Sequence, residues 1–160
     1  MEVRDTFSHA LPNTTSLQLD TWYLDDTHAQ ITLRISSTQA EPRCPGCDVP
    51  ARRIHSHYTR TLADLPWSGY QITWRLRVRK LFCRNRKCPR RIFTERLPGL
   101  VVPWARRTLR LAARLLAMGL ALGGAAGARL SQSLGLTVSR NTLLRVIRRA
   151  PCPVMVVHGT

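Results

Sequence analysis

The sequence predicts an α+β protein: an N-terminal β hairpin and a ribbon-like β module, followed by a three-helix bundle. Three observations predict it. Tyr70–Phe82 alternates with a period of two, the mark of a strand with one buried face. Two cysteine pairs bracket strand-like segments. After Leu97-Pro98-Gly99 the apolar residues recur every three or four positions, which is helical spacing. The expected divisions are 1–43 (N-terminal β segment), 44–98 (β module with the cysteines), 99–153 (helices) and 154–160 (tail).

The elements follow in order. Leu17–Leu24 and Gln30–Ile35 are short β-like runs, and Asp25-Asp26-Thr27-His28 between them reads as a turn, so a hairpin is expected. Ser36–Arg43 is a polar connector, and Cys44-Pro45-Gly46-Cys47 is a tight turn. Arg52–Thr61 reads as a strand, and Leu65–Gly69 as a loop. In Tyr70–Phe82, Tyr70, Ile72, Trp74, Leu76, Val78 and Phe82 fall on one face. Arg75, Arg77 and Arg79 fall on the other, where they would suit a phosphate backbone.

Pro103 fits the first turn of a helix, and Trp104–Leu122 is expected to be helical. Leu109, Ala112, Ala113, Leu116 and Leu120 make its apolar stripe, while Arg107, Arg110 and Arg114 share another face. Gly123-Gly124 reads as a break. Ala125–Leu134 is expected to be a second helix, with Gly135 as its stop. Ser139 is a good N-cap for a third helix, Arg140–Arg149, which Pro151 and Pro153 end.

Composition narrows the function. The 160 residues carry 25 Lys+Arg against 9 Asp+Glu, a formal net charge of +16, with 44% hydrophobic residues. Such a chain folds and seeks an anion, nucleic acid first. The longest uncharged apolar run, Leu115–Ala128, has fourteen residues, short of the roughly 20 that span a bilayer. No signal peptide is evident. The expected setting is a reducing cytosol, without a membrane partner. From Arg96 to Thr160 there are ten Arg and no acid. That stretch cannot supply the carboxylates that hold the ions of a two-metal nuclease.

The cysteines point to zinc. Cys44 and Cys47 form a C-x-x-C pair, and Cys83 and Cys88 form a second pair with four residues between them. Zinc takes four such thiolates in a tetrahedron, and two turn-borne pairs supply them. All four positions are filled by protein, so the Zn2+ is expected to be structural, in a zinc ribbon-like module. A redox dithiol at Cys44/Cys47 is the competing reading, but it lacks a following helix in a βαβ context. His55 and His57 are alternative ligands. Cys152 is an odd thiol with no assigned role.

The segment Ala125–Arg149 has the outline of a helix-turn-helix. Its last helix buries Leu143, Val146 and Ile147 and shows Arg140, Asn141, Thr142, Arg145, Arg148 and Arg149. In such folds the start of the second helix meets base edges, where Arg suits guanine and Asn suits adenine. Arg148 and Arg149 are better placed for phosphate.

Further motifs run through the chain: Cys44-Pro45-Gly46-Cys47, Ile54–Pro66 with its Asp64-Leu65-Pro66, Arg79–Cys83, and Cys88–Leu97 with Arg91-Ile92-Phe93-Thr94-Glu95-Arg96. Together they resemble the N-terminal part of insertion-sequence transposases of the ISL-three type, from about Leu17 to Arg149. The resemblance implies a zinc-binding domain and a helix-turn-helix that bind the element's terminal inverted repeats. It also implies a following ribonuclease-H-like domain with three catalytic acids. Val154–Thr160 departs from that pattern, so the expectation is a truncated transposase that binds DNA without cutting it, with no catalytic residue of its own. Its expected partners are double-stranded DNA at transposon ends and either a second copy of itself or a full-length transposase. A stand-alone zinc-containing transcriptional regulator is the alternative.

Overall fold

A computed structural model describes residues 11–12 and 15–150. They form two compact units that divide between Leu111 and Ala112. The tail 154–160, Cys152 and the prolines at 151 and 153 lie outside the described residues.

The first unit is built on β1 (Leu17–Asp25), β2 (Gln30–Ser37), β3 (Ile54–Trp67), β4 (Tyr70–Phe82) and β5 (Ile92–Thr94). β1 and β2 pair antiparallel as a hairpin, from Leu17 opposite Ser37 to Asp25 opposite Gln30. The Asp25 carboxylate holds the turn by accepting from the His28 backbone N–H at 3.1 Å. β3 and β4 form a second hairpin. Its two-residue turn, Ser68-Gly69, has φ of 48° and 84°, the double positive φ of a tight hairpin turn. β3 therefore runs past the loop expected at Leu65. Pro66, which has no N–H for the ladder, falls in the register shift between Asp64 and Trp67.

The expected fold class needs correction here. The N-terminal hairpin and the cysteine module are not separate layers, and no three-helix bundle follows them. β2 pairs parallel with β4, from Gln30 opposite Gln71 to Ser36 opposite Arg77. The result is one mixed five-stranded sheet, ordered β1-β2-β4-β3, with β5 also on β4. The reason is that β4 offers an edge on each side, and β3 fills only one of them.

Two cores lie along β4. Val78 belongs to the larger, with Leu19, Ile35, Leu62, Trp74, Leu76 and Leu100. Leu81, three residues further and so on the opposite face, belongs to a smaller core with Phe93, Ala51 and three of the cysteines. The expected alternation thus holds to Val78, and beyond it Leu81, not Phe82, is the buried residue.

Only two helices are found among the described residues, α1 (Leu109–Ser133) and α2 (Arg140–Arg148). The expected first two helices are one element, bent at Gly123 with φ 72° and ψ −171°. The Gly-Gly break is a bend at one residue rather than a linker. α1 starts later than expected because Trp104 has φ 65° and Thr108 caps the helix, its Oγ1 accepting from the Leu111 N–H at 3.3 Å. Its buried row is Leu111, Leu115 and Gly119, and Leu120 of the expected stripe is 64% exposed. By length and composition α1 can cross a membrane, with 28% of its apolar window buried.

Within the second unit, Gly119, Gly124 and Gly127 let α2 approach closely: a Cβ there would meet Ile147, Leu144 and Leu143 at 2.9–3.0 Å. Gly135, at φ 78°, ends α1 as expected. The Leu136 N–H donates to Ser131 O at 2.8 Å and the Gly135 N–H to Gln132 O at 3.0 Å, a left-handed helix stop. Ser139 caps α2 by accepting from the Thr142 N–H at 3.3 Å.

Candidate functional site

The four cysteines meet although 35 residues separate the pairs. Cys44 and Cys47 sit on a turn in which the Cys47 and Asp48 N–H groups both donate to Cys44 O, at 3.3 and 2.8 Å. Asp48 takes φ 56° there. Cys83 and Cys88 sit on the turn between β4 and β5. The Cys83 N–H donates to Arg91 O at 2.8 Å and the Cys88 N–H to Asn85 O at 3.1 Å. The Phe82 N–H donating to Arg53 O at 3.0 Å, with Ala51 packed in the core of Leu81 and Phe93, brings this second turn to the first.

All four Sγ atoms lie within 4.8 Å of one another. Cys44 and Cys88 are 3.9 Å apart, and Cys47 and Cys83 are 3.6 Å apart. Tetrahedral zinc with bonds of about 2.3 Å places sulfurs about 3.8 Å from each other, so the set has the right size. None of the four is in a disulfide. Burial pushes the Cys83 thiol up to about 12, while the Val49 backbone holds Cys47 down to about 7. Cys88 is raised: the Arg90 N–H lowers it, but burial and the Cys47 and Cys44 thiols outweigh that. Cys83 and Cys88 resist ionising, and a bound cation is what lets them become thiolates beside their neighbours. Among the described residues this is the one cluster of three or more metal-binding side chains. The donor set, its spacing and its enclosure fit a structural zinc ion. His55 and His57 are not in the cluster; both are exposed, and His55 lies edge-on to Phe82.

The candidate DNA-contacting arginines differ in position. Arg75 and Arg77 are exposed on the sheet. Arg79 is not their equivalent. Its backbone N–H and guanidinium donate to the buried Glu95 carboxylate at 2.7–3.1 Å, and Nη2 also donates to Gln39 O at 2.6 Å. Arg110 binds the buried Asp64 carboxylate through Nε at 2.8 Å and through Nη2, over the Trp74 ring. Arg107 is half-buried and pairs through its backbone with Ala63, outside any helix. Arg114 is exposed.

On α2, Arg140, Asn141, Arg145, Arg148 and Arg149 are exposed and Thr142 is half-buried beside its cap. Leu143 is fully buried; Val146 and Ile147 are half-buried. Sequence reasoning missed Arg34, which pairs with Arg75 across β2 and β4 and is exposed beside it. Its alternation within Gln30–Ile35 was a visible signal, but the parallel pairing that brings it to Arg75 was not.

Comparison with known proteins gives one family. Residues 40–88 match the family model described as the zinc-finger of transposase IS204/IS1001/IS1096/IS1165. The match covers both cysteine pairs and none of α1 or α2. No curated protein and no solved structure matches the chain.

Proposed function

We propose that this chain binds double-stranded DNA at the terminal inverted repeats of an insertion element, in the cytoplasm. The observation that carries the reading is the match of residues 40–88 to a transposase zinc-finger, on a cluster of four thiols of zinc size. The second unit supports it. α2 is capped, packed through Leu143, and shows Arg140 and Asn141 in its first turn, where a recognition helix meets bases. With no acid after Glu95, nothing in that unit repels phosphate. Zinc has a structural part: it fixes two turns to one end of the sheet that carries Arg34, Arg75 and Arg77.

The test is a competition titration at about physiological salt, with the DNA flanking the reading frame tiled as short duplexes against scrambled ones. A preference of roughly 10³-fold or more for one end-proximal tile is expected. Arg140→Ala or Asn141→Ala should flatten that preference, while Arg148→Ala should weaken all duplexes alike. Uniform binding that collapses with salt would overturn the reading.

A further inference from the structure

Trp104 is the most exposed large apolar residue described, at 90%. It stands in the turn Val102–Ala105, closed by the Ala105 N–H donating to Val102 O at 3.2 Å. Pro103 occupies the first central position and Trp104 the second, with φ 65°. That position of such a turn favours glycine, and a bulky residue there is strained. The turn is braced from β3: Arg60 Nη2 donates to Ala105 O at 2.7 Å and to Val102 O at 3.4 Å. Folding gains nothing from an indole held in solvent on a strained backbone, so a role in binding accounts for it better.

The turn borders a groove of about 280 Å³ that Tyr58, Arg60, Lys80, Arg90, Arg96 and Trp104 help to line. Its one carboxylate, Glu95, is already held by Arg79 and Ser37. Among the described residues no ion pair engages Lys80, Arg90 or Arg96, and Lys80 lies over the Tyr58 ring at 5.4 Å. An aromatic face beside unpaired cations is the chemistry that holds single-stranded nucleic acid, bases stacking on rings and phosphates meeting the charges. The groove lies on the Val78 side of β4, across the sheet from Arg75 and Arg77.

We propose that this groove holds an unpaired nucleotide of DNA, its base stacked on Trp104 and its phosphate met by Lys80, Arg90 and Arg96. The inference rests on the DNA-binding reading and adds to it: duplex is read elsewhere, and a frayed or single-stranded end is held here.

Trp104→Gly tests it on the full chain, because glycine relieves the strained φ and the variant should melt no lower than the parent. The probes are a blunt duplex, the same duplex with a short oligo(dT) overhang, and oligo(dT) alone. The expected result is a loss of roughly 5- to 150-fold for oligo(dT) and for the added affinity of the overhang, with blunt-duplex affinity unchanged. Trp104→Phe should restore much of the loss. Unchanged oligo(dT) binding, an equal loss on blunt duplex, or a lower melting temperature with loss of a dimer would each overturn the proposal; the last outcome makes Trp104 a contact between copies. Arg140→Ala should leave oligo(dT) binding intact. If end-proximal duplexes show no preference yet Trp104→Gly still abolishes oligo(dT) binding, the terminal-repeat reading fails and the groove stands.

Discussion

In the β unit, Arg79 and Arg110 each meet a fully buried carboxylate, Glu95 and Asp64. The helical unit contains no acid at all, and Arg140, Arg145, Arg148 and Arg149 stand in solvent. The difference teaches that an arginine's role is set by what the fold can bury beside it. Arg75, Arg77 and Arg79 are one alternating row in the sequence. Glu95, arriving after β5, withdraws only the last of them into the fold. A buried carboxylate aimed at one guanidinium fixes strand ends and helix starts, and an acid-free surface leaves its arginines for an outside anion.

Four experiments break or sharpen that contrast. The largest effect is expected from Cys83→Ser. Structural zinc contributes apparent binding free energies of about 10–16 kcal/mol in zinc-finger peptides, so the β unit should lose both its zinc and its cooperative melting. A variant that keeps its metal and its fold removes zinc from the account. The pH dependence has a definite sign. Without a cation Cys83 holds its proton, pushed up to about 12. Zinc binding must therefore release protons, and apparent zinc affinity should fall steadily as pH falls from about 8 to about 6. A flat profile by competitive chelator titration would contradict four-thiolate ligation.

Next comes Glu95→Ala. It leaves Arg79, whose side chain is 19% exposed, without its counter-charge. Breaking a buried pair in this way costs about 3–5 kcal/mol, to be read from urea unfolding. A cost under about 1 kcal/mol would place Arg79 with its exposed neighbours. The smallest effect on stability belongs to Arg75→Ala and Arg77→Ala, within about 0.5 kcal/mol. Each should instead reduce the slope of log affinity against log salt by about 0.9 if it meets a phosphate. An unchanged slope would leave DNA contact to the helical unit alone.

Much of the β unit was legible residue by residue. Tyr70–Phe82 has the bounds its alternation gave it, and the first hairpin falls within two residues of its expected ends. The four cysteines cluster as their spacing required. Ser139 and Gly135 do what a cap and a stop do in any helix pair. What was not legible depended on partners distant in sequence. β5 is three residues long, too short to show a period. Arg110 looked like a surface residue until Asp64, 46 positions away, took it. The start of α1 was misplaced because it is fixed by Thr108, whose hydroxyl donates to Asp64 at 2.6 Å, and its stripe was misjudged because packing partners, not apolar spacing alone, choose the buried row Leu111, Leu115 and Gly119.

The sequence by itself determined the local periods, the turn chemistry, the basic charge and the thiol set that selects zinc. Each depends only on residues a few positions apart or on the chemistry of the side chains themselves. Tertiary structure alone decided that β2 joins β4 in parallel, which of the arginines are neutralised, and that Trp104 is held out in solvent. Strand edges carry no label in sequence, since every backbone offers the same N–H and C=O groups. Which edges meet, and which charges they bury, is settled only when the whole chain competes for them.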